Sequence, residues 1–190
     1  MAFDDVPYTD MNPFKGQLYN KKDGENVYDA TKLDYKGADV TAANFYSVLK
    51  GDSEATGGKP VLKSDSNSKV FVFYSDHGAP GFLMMPMGDR VMADELQTVI
   101  DYMQENKMYN EMVFYIEACE SGSMFPMLRE DQHVYAVTAS NATQSSYANY
   151  CHPDNTINGQ AMNGTCLGDL FATTWMEDTE DHNPDMETVS

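Results

Sequence analysis

The chain has 190 residues, with 12 Lys and Arg against 30 Asp and Glu and a formal net charge of −18 at pH 7. That balance repels phosphate backbones and argues against nucleic-acid binding, whose affinity comes from Lys and Arg contacts. With 42% hydrophobic and 12% aromatic residues the chain can bury a core, which excludes wholesale disorder and suits one domain, while no apolar run approaches the roughly 18 residues of a spanning helix, so membrane insertion is not expected.

Met1-Ala2-Phe3-Asp4-Asp5 carries neither the basic start nor the apolar run of a secretory leader. Residues 1–38 read as a loop-rich start, punctuated by Pro7, Pro13, Gly16, Gly24 and Gly37. Thr41 then predicts the cap of a short helix with Phe45, Val48 and Leu49 on one face and Gly51 at its end. After a polar loop over 51–69, Val70-Phe71-Val72-Phe73-Tyr74 reads as a strand buried on both faces. Met92, Leu96, Val99, Ile100 and Met103 recur at helical spacing, with Asp94 and Glu95 favourably placed in the first turn. Met112-Val113-Phe114-Tyr115-Ile116 follows as a second apolar strand, so the unit is βαβ with parallel pairing, and Val134-Tyr135-Ala136-Val137-Thr138 supplies a third strand. A last helix is expected over 167–176, followed by an acidic tail over 177–190.

In a parallel sheet the chemistry gathers beyond the carboxyl ends of the strands. His77 lies three residues after Tyr74, and Cys119 lies three after Ile116. An imidazole beside a thiol can take its proton or, as imidazolium, stabilise the thiolate that attacks a carbonyl. Gly78 has no side chain, so a substrate carbonyl can approach its backbone N–H; with the N–H of Cys119 it can form an oxyanion hole. The alternative reading makes Cys119 a packing residue, since cysteine is among the most buried types, and His77 a surface or capping residue. As the odd one of three cysteines, Cys119 is nonetheless the reactive-thiol candidate. Cys151 and Cys166 flank a short polar loop, and Asn141-Ala142-Thr143 and Asn163-Gly164-Thr165 form two possible N-glycosylation sites that hint at a secretory route. His133, His152 and His182 are scattered and no Cys/His cluster has zinc spacing, so neither a metal nor a cofactor is expected.

Tyr74-Ser75-Asp76-His77-Gly78 together with Glu117-Ala118-Cys119-Glu120-Ser121-Gly122-Ser123-Met124 resembles the legumain family, the asparaginyl endopeptidases also called vacuolar processing enzymes. Further similar blocks include Asp34-Tyr35-Lys36-Gly37, Thr138-Ala139-Ser140-Asn141 and Trp175-Met176-Glu177-Asp178. The related GPI transamidase subunit shares the His-Gly and Cys logic, but the block around Cys119 is legumain-like. The resemblance implies a caspase-like α/β sandwich with a mainly parallel sheet and a Cys-His dyad cleaving after Asn, less often Asp, in a lysosome or vacuole. It makes His77 the base and Cys119 the nucleophile, places Asp76 at a position prone to succinimide formation, and assigns Glu117 and Asp169 to the pocket for the substrate Asn. Ser145, Ser146 and Tyr147 would line the substrate channel, and Cys151 and Cys166 would form a disulfide. Protein or peptide substrates with Asn at the cleavage site and cystatin-type inhibitors are the partners it implies.

Compared with the family pattern, the chain starts where the second strand is ending. An N-terminal strand and helix are therefore expected to be missing, and with them a catalytic Asn and an Arg-His pair of the substrate pocket. The strand at Val70–Tyr74 would then keep an apolar edge and the chain would aggregate readily. Three functional readings follow: a legumain-type endopeptidase, an inactive fragment acting at most as a binding module, and a ligase or transamidase that resolves the same acyl-thioester with an amine.

Overall fold

The computed structural model describes residues 1–162 and 164–181 and divides the chain into two compact units. The first comprises residues 1–4 and 29–145, and the second comprises residues 5–28 with the described residues from 146 onward.

The first unit is built on three parallel strands, β1 (Lys69–Ser75), β5 (Glu111–Glu117) and β6 (Val134–Thr138), in the order β1-β5-β6. Between β1 and β5 the chain makes a small antiparallel meander, β2 (Gly78–Ala79), β3 (Phe82–Leu83) and β4 (Val91–Met92), and then helix α2 (Ala93–Glu105). Helix α1 (Ala42–Leu49) precedes β1, with the Thr41 side chain accepting a hydrogen bond from the N–H of Asn44 as the sequence predicts. Leu96, Val99, Ile100 and Met103 of α2 meet Val70 and Val72 of β1 and Met112, Phe114 and Ile116 of β5 in one apolar cluster joined by Leu49 of α1. Their helical spacing on α2 and their alternation on β1 and β5 aim all of them at the same layer.

Two expectations need correction here. Strand β1 is not buried on both faces: Val70 and Val72 are covered, whereas Phe71 is 54% exposed. The helices lie against the valine face, and on the other face Phe71 meets the ring of Tyr115 edge-on, with centroids 5.2 Å apart. Met92 is not part of the helix's buried stripe; it ends β4, serves as the N-cap of α2 and is exposed. The meander was not foreseen, because its strands are two residues long and too short to show a period.

In the second unit β7 (Ala148–Asn149) pairs antiparallel with β10 (Gly168–Asp169), and β8 (Thr156–Ile157) forms a hairpin with β9 (Gln160–Ala161). Asn158 and Gly159 turn that hairpin with φ of 50° and 80°, the left-handed pair that Asn-Gly adopts at little cost. The β7–β10 ladder continues through Leu167 N–H donating to Tyr150 O (3.2 Å), so the next residues out, Cys151 and Cys166, face each other and are disulfide-bonded. Helix α3 runs from Leu170 to Asp181. It starts later than expected because Gly168 and Asp169 belong to β10, and it takes in the first five residues of the expected acidic tail; residues 182–190 lie outside the described part.

Candidate active site

The parallel register fixes where the two reactive residues emerge. Ser75 is the partner of Glu117 at the carboxyl ends of β1 and β5, and His77 and Cys119 each lie two residues further along. Neighbouring strands run about 4.8 Å apart, so equal steps past paired residues leave the imidazole-bearing and thiol-bearing segments side by side. The ladder itself extends one bond beyond the sheet, from the N–H of Asp76 to the carbonyl of Glu117 at 3.2 Å.

Past that bond the two loops are packed backbone to backbone. A Cβ placed on Gly78 would lie 2.5 Å from the carbonyl oxygen of Cys119 and 3.0 Å from Cβ of Ala118. Only glycine permits this approach. The His77 segment is tied down by its own N–H, which donates to Asp76 Oδ1 at 2.6 Å, and by its carbonyl, which accepts from the N–H of Met84 at 2.9 Å. The Tyr74 hydroxyl donates to the carbonyl of Met84, and burial, reinforced by the charge of Asp76, pushes this phenol well above its usual pKa and keeps it neutral. The meander is in turn joined to the segment after Cys119 by the N–H of Gly81, which donates to Ser123 Oγ at 2.8 Å.

Cys119 is partly buried and carries a thiol, while His77 is exposed. Directly after the thiol Glu120 adopts φ 48°, and a short 3₁₀ helix follows over Ser121–Met124. This turn rests on two buried hydroxyls. Ser140 Oγ donates to the carbonyl of Ala118 (3.0 Å) and accepts from the N–H of Ser121 (3.3 Å), while Ser121 Oγ lies 3.2 Å from Ser140 Oγ and accepts from the N–H of Ser140 (3.2 Å). The N–H of Gly122 donates to the Ser140 carbonyl at 3.0 Å, and a Cβ on Gly122 would lie 2.9 Å from the carbonyl carbon of Asn141. Both serines stand inside the blocks that carry the family resemblance, but nothing in the sequence gives either a role, because the backbone groups they bind have no residue-type signature.

Of the residues expected at the site, the first unit brings together Asp76, His77, Gly78, Glu117 and Cys119. Glu117 is 1% exposed, at the last position of β5. Ser145 is exposed and directly follows Gln144, whose carbonyl accepts from the N–H of Glu120 at 2.8 Å, so the 141–145 loop lies on the turn after the thiol. Ser146, Tyr147 and Asp169 belong to the second unit. There the Tyr147 carbonyl accepts from the N–H of Leu170 (2.8 Å), Asp169 pairs with Ala148, and the Tyr147 side chain is 72% exposed. Asn141 is exposed, with its side-chain N–H₂ donating to Gln144 Oε1 at 2.8 Å, whereas Asn163 lies outside the described residues. Among the described residues no three His, Cys, Asp or Glu are grouped to hold a metal ion, and no helix is long and apolar enough to cross a membrane.

A parallel sheet that delivers an imidazole and a thiol to adjacent strand ends has the layout of an α/β cysteine hydrolase. The chain belongs to the peptidase C13 family, whose profile matches residues 1–190, and its mixed α/β architecture with a parallel sheet is the caspase-like fold of that family. It is 45% identical over 190 residues to the vacuolar-processing enzyme delta-isozyme of Arabidopsis thaliana, an alignment covering 98% of this chain and 41% of that one. It is 45% identical over 192 residues to legumain of Mus musculus, covering 100% of this chain and 42% of that one. With legumain of Canavalia ensiformis the identity is 44% over 190 residues, covering 98% and 40%. The chain thus spans about two fifths of the length of these relatives.

Proposed function

We propose that this chain carries the catalytic dyad of a cysteine endopeptidase that cleaves after Asn, and less often after Asp. The observation that carries the reading is the packing of Gly78 against the Cys119 carbonyl, which seats the His77 and Cys119 loops against each other at equal register. His77 takes the proton of Cys119 Sγ, and the thiolate attacks the carbonyl carbon that follows the Asn side chain. The tetrahedral oxyanion is held by the backbone N–H groups of Gly78 and Cys119, each such donor typically contributing about 3 kcal/mol in the transition state. The imidazolium gives its proton to the leaving amine, leaving an acyl-thioester. Water, deprotonated by His77, attacks that thioester to release the new carboxyl terminus and restore the thiol.

Glu117 is the carboxylate we assign to the amide N–H₂ of the substrate Asn, and Asp76 and Ser145 are assigned contacts beside it. A buried acceptor discriminates strongly, because a substrate lacking the donor leaves it unsatisfied. Ser146, Tyr147 and Asp169 are assigned substrate contacts on the second unit from the family resemblance. The names of the vacuolar relatives support a vacuolar site of action; a lysosomal site and cystatin-type inhibitors as partners are proposed from the family resemblance alone.

The test is cleavage of matched fluorogenic peptides with Asn, Asp or Ala before the scissile bond, at mildly acidic pH, beside a Cys119→Ser control. Cleavage after Asn that the control abolishes supports the reading. A soluble, folded chain that cleaves none of them overturns it and leaves a binding role.

A further inference from the structure

The strands deliver Cys119 to the sheet edge, but they do not fix the direction of its side chain; the turn that follows does. Three peptide groups set that turn, and Ser140 touches both of its ends. Its Oγ donates to the carbonyl of Ala118, the peptide group immediately before the thiol, and accepts from the N–H of Ser121, two residues after it. Ser121 Oγ closes the ring by accepting from the N–H of Ser140, and Thr138 Oγ1 donates to the Ser140 carbonyl at 2.9 Å, anchoring the clamp to the end of β6. Ser121 is 0% and Ser140 9% exposed. Water therefore has little access to replace either hydroxyl, and the bonds act in a low-dielectric setting where each orients strongly. Glu120, between these held groups, sits at φ 48°, a left-handed conformation that a non-glycine residue keeps only when its surroundings impose it.

We propose that Ser140, with Ser121, is a positioning residue for the nucleophile. It clamps the carbonyl just before Cys119 and the N–H of Ser121 two residues after it, so that the thiol is presented to His77 and to the substrate carbonyl. Neither hydroxyl touches substrate, and the effect on turnover rests on the peptidase reading given above. The clamp itself does not, because it acts on the thiol whatever the thiol attacks.

The experiment compares the parent chain with Ser140→Ala, Ser140→Thr and Ser121→Ala, using two readouts. The first is kcat and KM on an Asn peptide; the second is the pH profile of alkylation of Cys119 by iodoacetamide, located by mass spectrometry. Misplacing a nucleophile by a fraction of an ångström costs about tenfold or more in rate. Ser140→Ala should therefore lose about tenfold in kcat with KM changed less than about twofold. Its alkylation at pH 6 should slow by about tenfold, so that its profile no longer superimposes on the parent's. Ser140→Thr keeps the hydroxyl and should return both readouts to near the parent. Ser121→Ala leaves the bond to Ala118 and should show a smaller loss, about threefold.

A folded Ser140→Ala chain with parental kcat and a superimposable alkylation profile overturns the proposal, even if its melting temperature falls. Should Ser140→Ala not fold, Ser121→Ala decides: a shifted profile supports the clamp and an unshifted one overturns it. If the parent fails to cleave after Asn while its alkylation profile still depends on Ser140, the peptidase reading fails and the clamp stands. If the parent cleaves and neither readout responds to Ser140, the clamp fails alone.

Discussion

Replacing Gly78 by Ala is the sharpest perturbation the geometry offers. The new methyl carbon would lie 2.5 Å from the Cys119 carbonyl oxygen, 3.0 Å from Ala118 Cβ and 3.5 Å from Leu83 Cδ2. A carbon and an oxygen come no closer than about 3.3 Å without repulsion, so the two backbones must separate by about 0.8 Å. Neither side yields easily. The Gly78 strand is paired with β3 at Leu83, which is 1% exposed, and the segment from Cys119 is held by the Ser121–Ser140 bonds. Overpacking of this kind costs about 1–3 kcal/mol of stability. The separation also moves the segment that carries His77 away from the segment that carries Cys119, and about 1 Å of misplacement lowers turnover by about 100-fold. Gly78→Ala should therefore lower the melting temperature by about 2–12 °C, and kcat/KM by far more than the unfolded fraction accounts for. Thermal melts and initial rates on one preparation measure both. A variant with parental melting temperature and parental kcat/KM would refute the backbone contact on which the site is built.

Phe114, fully buried at 0% exposure in the middle of β5, should cost about 3–5 kcal/mol when cut to Ala, read by denaturant titration of the first unit. Reducing the Cys151–Cys166 bridge, which spans a sequence separation of 15, should destabilise the second unit by about 3 kcal/mol, and thiol titration should rise from one group to three. Alkaline pH gives a further test. Burial, with a smaller push from Asp101, raises the Tyr109 phenol from 10.0 to about 12. The folded state thus favours the protonated phenol; the resulting stability is fully present below about pH 10 and is lost as pH climbs through about 12. Tyr109→Phe should flatten that alkaline decline while lowering stability at neutral pH, because the Tyr109 hydroxyl donates to the buried Gln132 carbonyl at 2.9 Å.

What the sequence showed and what it hid separate along physical lines. Strands β5 and β6 and the cap of α1 were legible because each is a local signal: an apolar run, or a Thr before a periodic stretch. The placement of His77 and Cys119 followed from two such strands and the rule for parallel sheets. Phe71 was misjudged because an apolar run cannot say which of its faces another layer will cover. The role of Ser140, a residue of one of the family-like blocks, was hidden for a different reason. This serine acts on Ala118 across two strands, 22 residues away in sequence, through a backbone carbonyl that has no residue-type signature. The β7–β10 ladder that aligns the disulfide and shortens α3 is likewise non-local, and no pattern within either two-residue strand reveals it.

The dyad itself is tested most directly by covalent capture. The chain would be incubated at mildly acidic pH with a peptide electrophile ending in Asn, beside Cys119→Ser and His77→Ala, and the adduct located by mass spectrometry. A single adduct on Cys119 is expected, with none in Cys119→Ser and labelling slowed about 100-fold or more in His77→Ala. An adduct elsewhere, or His77→Ala labelling at the parental rate, would contradict it.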